Sequence, residues 1–442
     1  MSKAVSLRER LCYGAGNFGV NLLFGITSAY LMYFYTDVYR VSPAVVAQLF
    51  LLARGVDALF DPLLGLAIDR TNTRWGKHRP YLLWFALPFA LCGVAVFWPP
   101  PLGEAGKLAY IYVTYTAIGL LYSCLSLPLN SMLPTLSSDV NSRNTTNAIR
   151  EFMGSSATVG VGYATMPLVR ALGGGADERR GFLLCATLLS VMTLAGVAAA
   201  FLGTRERVQV EGDLQRLTTA QSLKATRGNW PWIATMGVNL FFWIGFTGHV
   251  QSTVYYARDV AGHADWVGPL MGMMLVVLGG TACSAYVANR IGKRATGMIG
   301  AGMAALATAA LPLSPDFGWL MAMNALGYAG LGLIGGLLFA LMADAVDYGA
   351  WKSGFRAQGF LFAASSFGVK LGMSIGGAAG AWALARAHYV AGVAADADII
   401  KAVHWSHAYL PALSYVAMGA CLLLFRFEAG FDHPDNQAGS KA

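Results

Sequence analysis

The sequence predicts an all-α integral membrane protein of twelve transmembrane helices arranged as two six-helix halves. Three observations carry this. Apolar residues make up 56% of the 442 and charged ones only 12%, with a mean hydropathy of +0.51, whereas a soluble domain carries about 25% charged residues. The apolar residues gather in successive runs of about 20, the length that crosses a bilayer as a helix, and lack the short alternating segments of a membrane barrel. The longest polar connection, Gly203 to Asn229, carries Arg205, Glu206, Arg207, Glu211, Asp213, Arg216, Lys224 and Arg227 and divides the runs six and six.

In chain order the predicted spans lie near 11–36, 43–68, 80–98, 108–134, 147–170, 181–203, 230–257, 266–289, 296–313, 317–343, 357–385 and 405–427. The expected domains are therefore a first half over 1–203, a central loop over 204–229, a second half over 230–427 and a tail over 428–442. Lys3, Arg8 and Arg10 precede the first run as in a signal peptide. The run continues to about Tyr35 with no small-residue cleavage pattern, so it reads as a retained first span. Cys12, Cys92, Cys124, Cys185, Cys283 and Cys421 fall in or at the ends of apolar runs without CxxC or metal spacing. They read as reduced core residues, and no cofactor is expected.

Orientation follows from the loops. Of the 31 Lys and Arg, 21 fall on the side of the N-terminus, the central loop and the tail, and 8 on the other, with Arg54 and Lys370 inside spans. Positive residues favour the cytoplasmic side, so both termini are expected in the cytoplasm of a cell (inner) membrane. The net charge of +8 is loop charge of this kind and no nucleic-acid signal. The expected partners are the bilayer and a small molecule, with the chain a monomer. Asp69-Arg70-Thr71-Asn72-Thr73-Arg74-Trp75-Gly76-Lys77-His78-Arg79 after the second span has a counterpart in Asn289-Arg290-Ile291-Gly292-Lys293-Arg294 after the eighth. A basic, glycine-bearing turn at the same place in each half suggests two parallel repeats. The plainer account is that positive-inside bias enriches such loops anyway.

The second span holds Arg54-Gly55-Val56-Asp57-Ala58-Leu59-Phe60-Asp61-Pro62. Charge in hydrocarbon costs roughly 3 kcal/mol or more per group and is functional by default. Asp57 and Asp61 stand four apart on one helix face. Two carboxylates that close repel unless a cation or proton sits between them, so this span is expected to hold a coupling-cation site, for Na+ or H+. The simpler alternative is that Arg54 neutralises Asp57. Other spans carry polar groups where a substrate between two halves would sit: Asn17 and Asn21; Tyr122, Ser123, Ser126 and Asn130; Arg150-Glu151; Asn239, His249 and Gln251; Ser365, Ser366 and Lys370. Any single serine or asparagine of these is more simply helix-packing glue, and His249 is as readily a satisfied core histidine. Lys370 lies mid-span, beyond easy snorkelling, with Asp57 or Asp61 its natural partner.

With those residues in hand, the chain resembles the glycoside–pentoside–hexuronide:cation symporters, a branch of the major facilitator superfamily that includes melibiose permease. The likeness is densest in Tyr13-Gly14-Ala15-Gly16, Tyr30 through Val38, Ala53-Arg54 through Asp61-Pro62, and Thr73 through Pro80, and returns in Ala343 through Gly349 and Val369 through Gly372. It implies the major facilitator fold and cation-coupled sugar uptake by alternating access. By this resemblance Asp57 and Asp61 match the family's cation pair, Ser123 a threonine beside it, Lys370 the eleventh-span lysine, Arg150 a cavity arginine and Tyr122 a cavity tyrosine. Asp344, Asp347, Arg143 and Arg356 match cytoplasmic charges that latch the two halves, and the loop residues Asp69 and Arg294 are grouped with them.

The departures bear on substrate. Asn21 stands where melibiose permease has a sugar-gripping aspartate, Ser126 replaces another, Asn130 stands for a tryptophan, and Gly335 falls where a tenth-span tryptophan is expected. Galactoside specificity therefore does not carry over, and Asn21 looks more like the glucuronide and sulfosugar branch. With Ser126 hydroxylic, it joins Asp57, Asp61 and Ser123 as a cation ligand. Asn21, Tyr122, Asn130, Arg150, His249, Gln251 and Lys370 are the candidate substrate contacts. An arginine in low dielectric without its acid is poorly compensated, and an anionic sugar would supply bidentate acceptors. A uronide or sulfonated sugar is thus expected over a neutral glycoside, unless Glu151 pairs Arg150. A lysolipid carrier is the rival transport reading. A membrane enzyme or receptor is the other rival, and an enzyme is not expected, since the seven scattered histidines form neither a nucleophile–base set nor a metal spacing.

Overall fold

Helix starts are legible in the chain. Ser6 and three aspartates, Asp139, Asp177 and Asp316, each accept the backbone N–H of the residue three further on, in the first turn of their helices, the usual remedy for the orphan donors of a helix start. The computed structural model describes residues 5–137, 139–175, 177–207, 226–354 and 358–428, apart from the side chains of Arg54, Ala58, Asp69, Val140, Asn141, Gln358, Gly359, Phe362 and Ala363. Within these residues the regular elements are helices: α1 (Leu7–Tyr33), α2 (Pro43–Arg70), α3 (Arg79–Val96), α4 (Glu104–Ser131), α5 (Leu133–Leu136), α6 (Val140–Leu172), α7 (Glu178–Gly203), α8 (Trp230–Tyr255), α9 (Val267–Gly272), α10 (Leu275–Ile291), α11 (Lys293–Ala310), α12 (Phe317–Gly335), α13 (Leu338–Ser353), α14 (Gln358–Arg386), α15 (Ala397–His404) and α16 (Leu410–Leu423).

Ten helical stretches among the described residues are long and apolar enough to cross a membrane. The helices at the fifth and eleventh predicted spans, α6 and α14, run 33 and 29 residues and are long enough to cross, but the first is loaded with Asn144, Thr145, Thr146, Asn147, Arg150 and Glu151. Large apolar side chains stand exposed, Leu59, Leu202, Leu306 and Phe339 each above 70%. Apolar surface of this kind is what lipid contact requires.

Two compact units divide the chain, and the division does not follow the central loop alone. The first takes Met1–Glu211, Val250–Gly272 and Gly377–His404; the second takes Gly212–His249, Met273–Gly376 and Trp405–Ala442. In the first unit α1 packs on α6 and α7, α2 on α4, and α9 on α6. Glycine sets the closest approach: a Cβ at Gly196 would stand 2.4 Å from the Ala15 carbonyl, and one at Gly19 would stand 2.9 Å from that of Thr193. The Thr193 hydroxyl donates to the Gly19 carbonyl at 2.7 Å across the same contact. In the second unit Gly300 of α11 and Gly330 of α12 lie each against the other's carbonyl. Helices in lipid gain no hydrophobic drive from one another, so close backbone packing carries the association.

The basic turn after α2 is fastened by one carboxylate. Glu206 accepts the backbone N–H of Lys77, His78 and Arg79 at 3.0, 2.8 and 3.0 Å. Gly76, at φ +107°, faces that carboxylate where a Cβ would collide with it.

Candidate functional site

The second and fourth helices build the carboxylate site. Both are α-helical through an internal proline, Pro62 in α2 and Pro128 in α4, and they pack directly. Their contact brings Ser123 to Asp57: the hydroxyl donates to Asp57 Oδ1 at 3.1 Å, with both residues buried. Beside Asp57 lies a cavity of about 30 Å³, lined also by Thr27, Tyr115, Thr116 and Tyr122. About 10–15 Å³ suffices for one water, so the cavity suits a cation or a water or two and is far too small for a sugar. Phe24 stacks on Tyr122 at 4.8 Å between ring centres and closes one wall. Asp61 lies one turn along α2, half-buried, and Ser126 lies half-buried on α4. Hydroxyl and carboxylate oxygens converging on a small space are what a hard cation takes, and a buried carboxylate equally carries a proton.

A second polar cluster lies on α1, α4 and α6 of the same unit. Asn21 donates to the Asn17 carbonyl at 2.8 Å and to its side-chain oxygen at 3.1 Å. Asn17 in turn donates to the Arg150 carbonyl at 2.9 Å. The Arg150 guanidinium is buried, donates to the Asn130 side-chain oxygen and to Glu151 Oε1, and lies 5.9 Å from the centre of the Tyr13 ring. Asn21, Asn130 and Arg150, expected as substrate contacts, therefore sit in one network. The expectation that Arg150 stands without an acid is not met. Glu151, about half-exposed, pairs it, because adjacent helical side chains with long stems can still converge on one charge. Asn17, among the polar groups of the first span, is the hinge of the network.

Gln251 lies buried on α8 within the first unit, its side-chain oxygen without a donor among the described residues. It stands against Gly377, where a Cβ would come within 2.9 Å of it. His249, two residues earlier, belongs to the second unit and is spoken for. One ring nitrogen lies 2.8 Å from the His407 carbonyl and the other 2.9 Å from the Asn324 side-chain oxygen, and its ring stacks on His407 at 4.1 Å. This is the arrangement of a satisfied core histidine, the alternative that its apolar span allowed: each ring nitrogen already faces a protein oxygen. Lys370 is half-buried on α14, also in the second unit.

Of the expected latch charges, Asp344 on α13 is engaged inside the second unit by Lys293, whose ammonium lies 3.0 and 2.9 Å from its two oxygens. Lys293, which opens α11, is the neighbour of Arg294, another of the expected latch charges. Asp347 and Arg143 are half-buried on α13 and α6, and Arg356 and the Asp69 side chain lie outside the described residues. The described residues hold no cluster of three or more His, Cys, Asp or Glu able to bind a metal ion; a lone carboxylate with hydroxyls falls below that threshold.

Residues 12–429 match the model of a family described as MFS/sugar transport protein. An isoprimeverose transporter of Lactiplantibacillus pentosus is 37% identical over 429 residues, covering 95% of this chain and 88% of that one. A putative glycoside/cation symporter of Escherichia coli strain K12 is 28% identical over 428 residues, covering 96% and 92%. Among solved structures the nucleoside transporter NupG superposes with a TM-score of 0.68 at 11% identity, over 95% of this chain and all of that one.

Proposed function

The chain belongs to the MFS/sugar transport protein family, and on that premise of a cation-coupled sugar symporter we propose that it imports a neutral glycoside together with a cation held at Asp57. The observation that carries the substrate reading is the Arg150–Glu151 pair. A guanidinium already neutralised by a carboxylate and shared with Asn130 has no charge to spare for a sugar acid, since a third charge would leave one of the three uncompensated in low dielectric. Asn17, Asn21 and Asn130 supply what neutral hydroxyls need, amide donors and acceptors.

Coupling follows from the order of events at Asp57. The cation enters the small cavity first and settles the carboxylate, with Ser123 turning its hydroxyl to follow the charge. The sugar then binds, and the protein rocks to release both on the cytoplasmic side. Linkage requires that cation and sugar raise each other's affinity by the same factor. Asp61 and Ser126 complete the cation site.

The test is uptake into proteoliposomes of one sugar in two forms, a neutral methyl glycoside and the matching uronate, with an imposed Na+ or H+ gradient. Uptake of the neutral form alone is expected. Preferential uptake of the uronate restores the anionic reading and means that Glu151 releases Arg150 when substrate arrives. Accumulation that responds to one gradient and not the other names the ion. Competition by lysolipids in place of sugars would overturn both readings.

A further inference from the structure

The first and seventh spans end in the same irregular turn. Phe34–Val38 and Tyr256–Val260 are five-residue π-helical turns, each closing an α-helix that ends in tyrosine. The match extends to single hydrogen bonds. Tyr39 N–H donates to the Phe34 carbonyl as Ala261 N–H does to that of Tyr256, and Val41 N–H donates to the Tyr35 carbonyl as His263 N–H does to that of Ala257. Even the left-handed residue recurs, Arg40 at φ +56° and Gly262 at φ +75°. Each turn carries Asp-Val at its end, Asp37-Val38 and Asp259-Val260. The residue before the aspartate differs, Thr36 in one and Arg258 in the other.

That difference ties the repeats together inside the first compact unit. Arg258 Nη1 lies 2.7 Å from Asp37 Oδ1, while Nε and Nη2 hold Asp259 at 2.7 and 2.9 Å. The Tyr389 hydroxyl donates to Asp37 Oδ1 at 2.6 Å and accepts from Arg258 Nη2. The Thr36 hydroxyl stands 2.7 Å from Asp37 Oδ2 and 2.6 Å from the Tyr255 hydroxyl. The guanidinium lies between the Tyr33 and Tyr255 rings, 5.6 and 5.7 Å from their centres. Asp37 is almost wholly buried. Three stretches distant in sequence, 33–37, 255–259 and 389, thus converge on one carboxylate, and two of them come from the second half of the chain.

A permanent contact between helices in this protein is made by glycine and apolar packing, as along α1 and α7. Here the contact is instead charged, hydroxylic and directional, a kind that water and counter-ions can replace when it opens. We propose that Asp37, Arg258 and Tyr389 form the latch of the end opposite the N-terminus, closed while that end is sealed and parted when substrate enters. It rests on the alternating-access reading and on the orientation given by loop charge, and is independent of which sugar is carried. Arg40 and Arg179, which line the neighbouring open cavity with Asp37 and Glu178, are placed to take up the carboxylates once Arg258 withdraws.

The experiment needs no substrate. A single reporter, Thr27→Cys beside the Asp57 cavity, is placed in a chain whose six native cysteines are replaced, and is labelled from outside intact cells with a membrane-impermeant maleimide. Asp37→Asn is expected to speed labelling about tenfold and Tyr389→Phe, which deletes one hydroxyl, about threefold, as a shift of population toward the state open to the outside. Unchanged labelling of folded protein in either variant overturns the latch, as does faster labelling confined to the cytoplasmic face. If Asp37→Asn fails to reach the membrane, Tyr389→Phe decides alone. Loss of sugar uptake in all chains, with labelling still sped by Asp37→Asn and Tyr389→Phe, would fault the transport reading and not the latch.

Discussion

Two buried aspartates of the first compact unit, Asp57 and Asp37, have opposite surroundings. Asp37 is wrapped by a guanidinium and by hydroxyls from three stretches of chain. Asp57 accepts from Ser123 and borders a cavity large enough for an ion. A buried carboxylate surrounded by protein donors holds segments together for as long as those donors stay, because removing one leaves charge uncompensated. A buried carboxylate beside a small space lined with hydroxyls is poised to exchange partners. On the readings proposed above, the same side chain closes a latch in one place and holds the coupling ion in the other, and the number of converging donors tells them apart.

Substitutions can break that contrast, and the largest effect is expected at Asp57. Asp57→Asn should remove gradient-driven accumulation by a factor of roughly 100 or more, with sugar exchange and melting temperature retained, since the loss is of coupling. Uptake under an imposed gradient beside exchange without one would show it, and retained accumulation would refute the cation role. Asp37→Asn should behave in the reverse way in a melting assay. Arg258 keeps Asp259, so the loss is about 2 kcal/mol, at the low end for a broken buried charge contact. An unchanged melting point would mean that the cluster does not hold the unit together.

A sharper version of the contrast concerns Arg150. With Glu151→Gln the guanidinium keeps Asn130 and loses its acid, so the preference between a uronate and its neutral parent should shift about tenfold toward the uronate, close to the net worth of one charge-assisted hydrogen bond. Competition assays with the two sugars read this directly. Ser123→Ala takes one hydrogen bond from Asp57, worth about 1 kcal/mol. Cation affinity, taken from the concentration dependence of uptake, should fall about fivefold.

The smallest effect is expected at the tail. Lys352 donates to Glu428 and to the Gly228 carbonyl, and the hydrogen bond from Lys352 holds the Glu428 carboxyl below its ordinary value of 4.5. A carboxyl whose folded value is depressed stabilises at neutral pH, and that stabilisation is lost as pH falls through and below the ordinary range. Because the pair is solvent-exposed, Glu428→Gln should leave the melting curve at pH 7 nearly unmoved. A large shift would mean that the pair closes a buried contact.

Much of this was legible in the chain. The length and apolarity of the runs announce membrane helices, and Arg54 through Asp61 announces a costly charge in hydrocarbon that composition alone renders conspicuous. The basic turns after the second and eighth spans point to a repeat, which the paired π turns at Asp37 and Asp259 repeat in finer detail. His249 was less legible. Its bare presence in an apolar span is compatible with ligand or core, and only Asn324 and the His407 carbonyl, 75 and 158 residues away, decide for core. The latch charge at Asp344 was visible, but its partner Lys293, which opens α11, was not among the residues expected there.

By itself the sequence determined the fold class, the membrane setting, the loop charge asymmetry and the helix carrying the paired intramembrane carboxylates, since these depend on local composition and on spacings of a few residues. Only the tertiary structure decided which charges are spent. Arg150 reads as an open cation until Glu151 is seen to turn onto it, and Asp37 reads as one more loop-end acid until Arg258 and Tyr389 arrive from the other half of the chain. The reason is physical: the cost of a charge depends on its distance to the next one, and that distance is set by packing between helices remote in sequence.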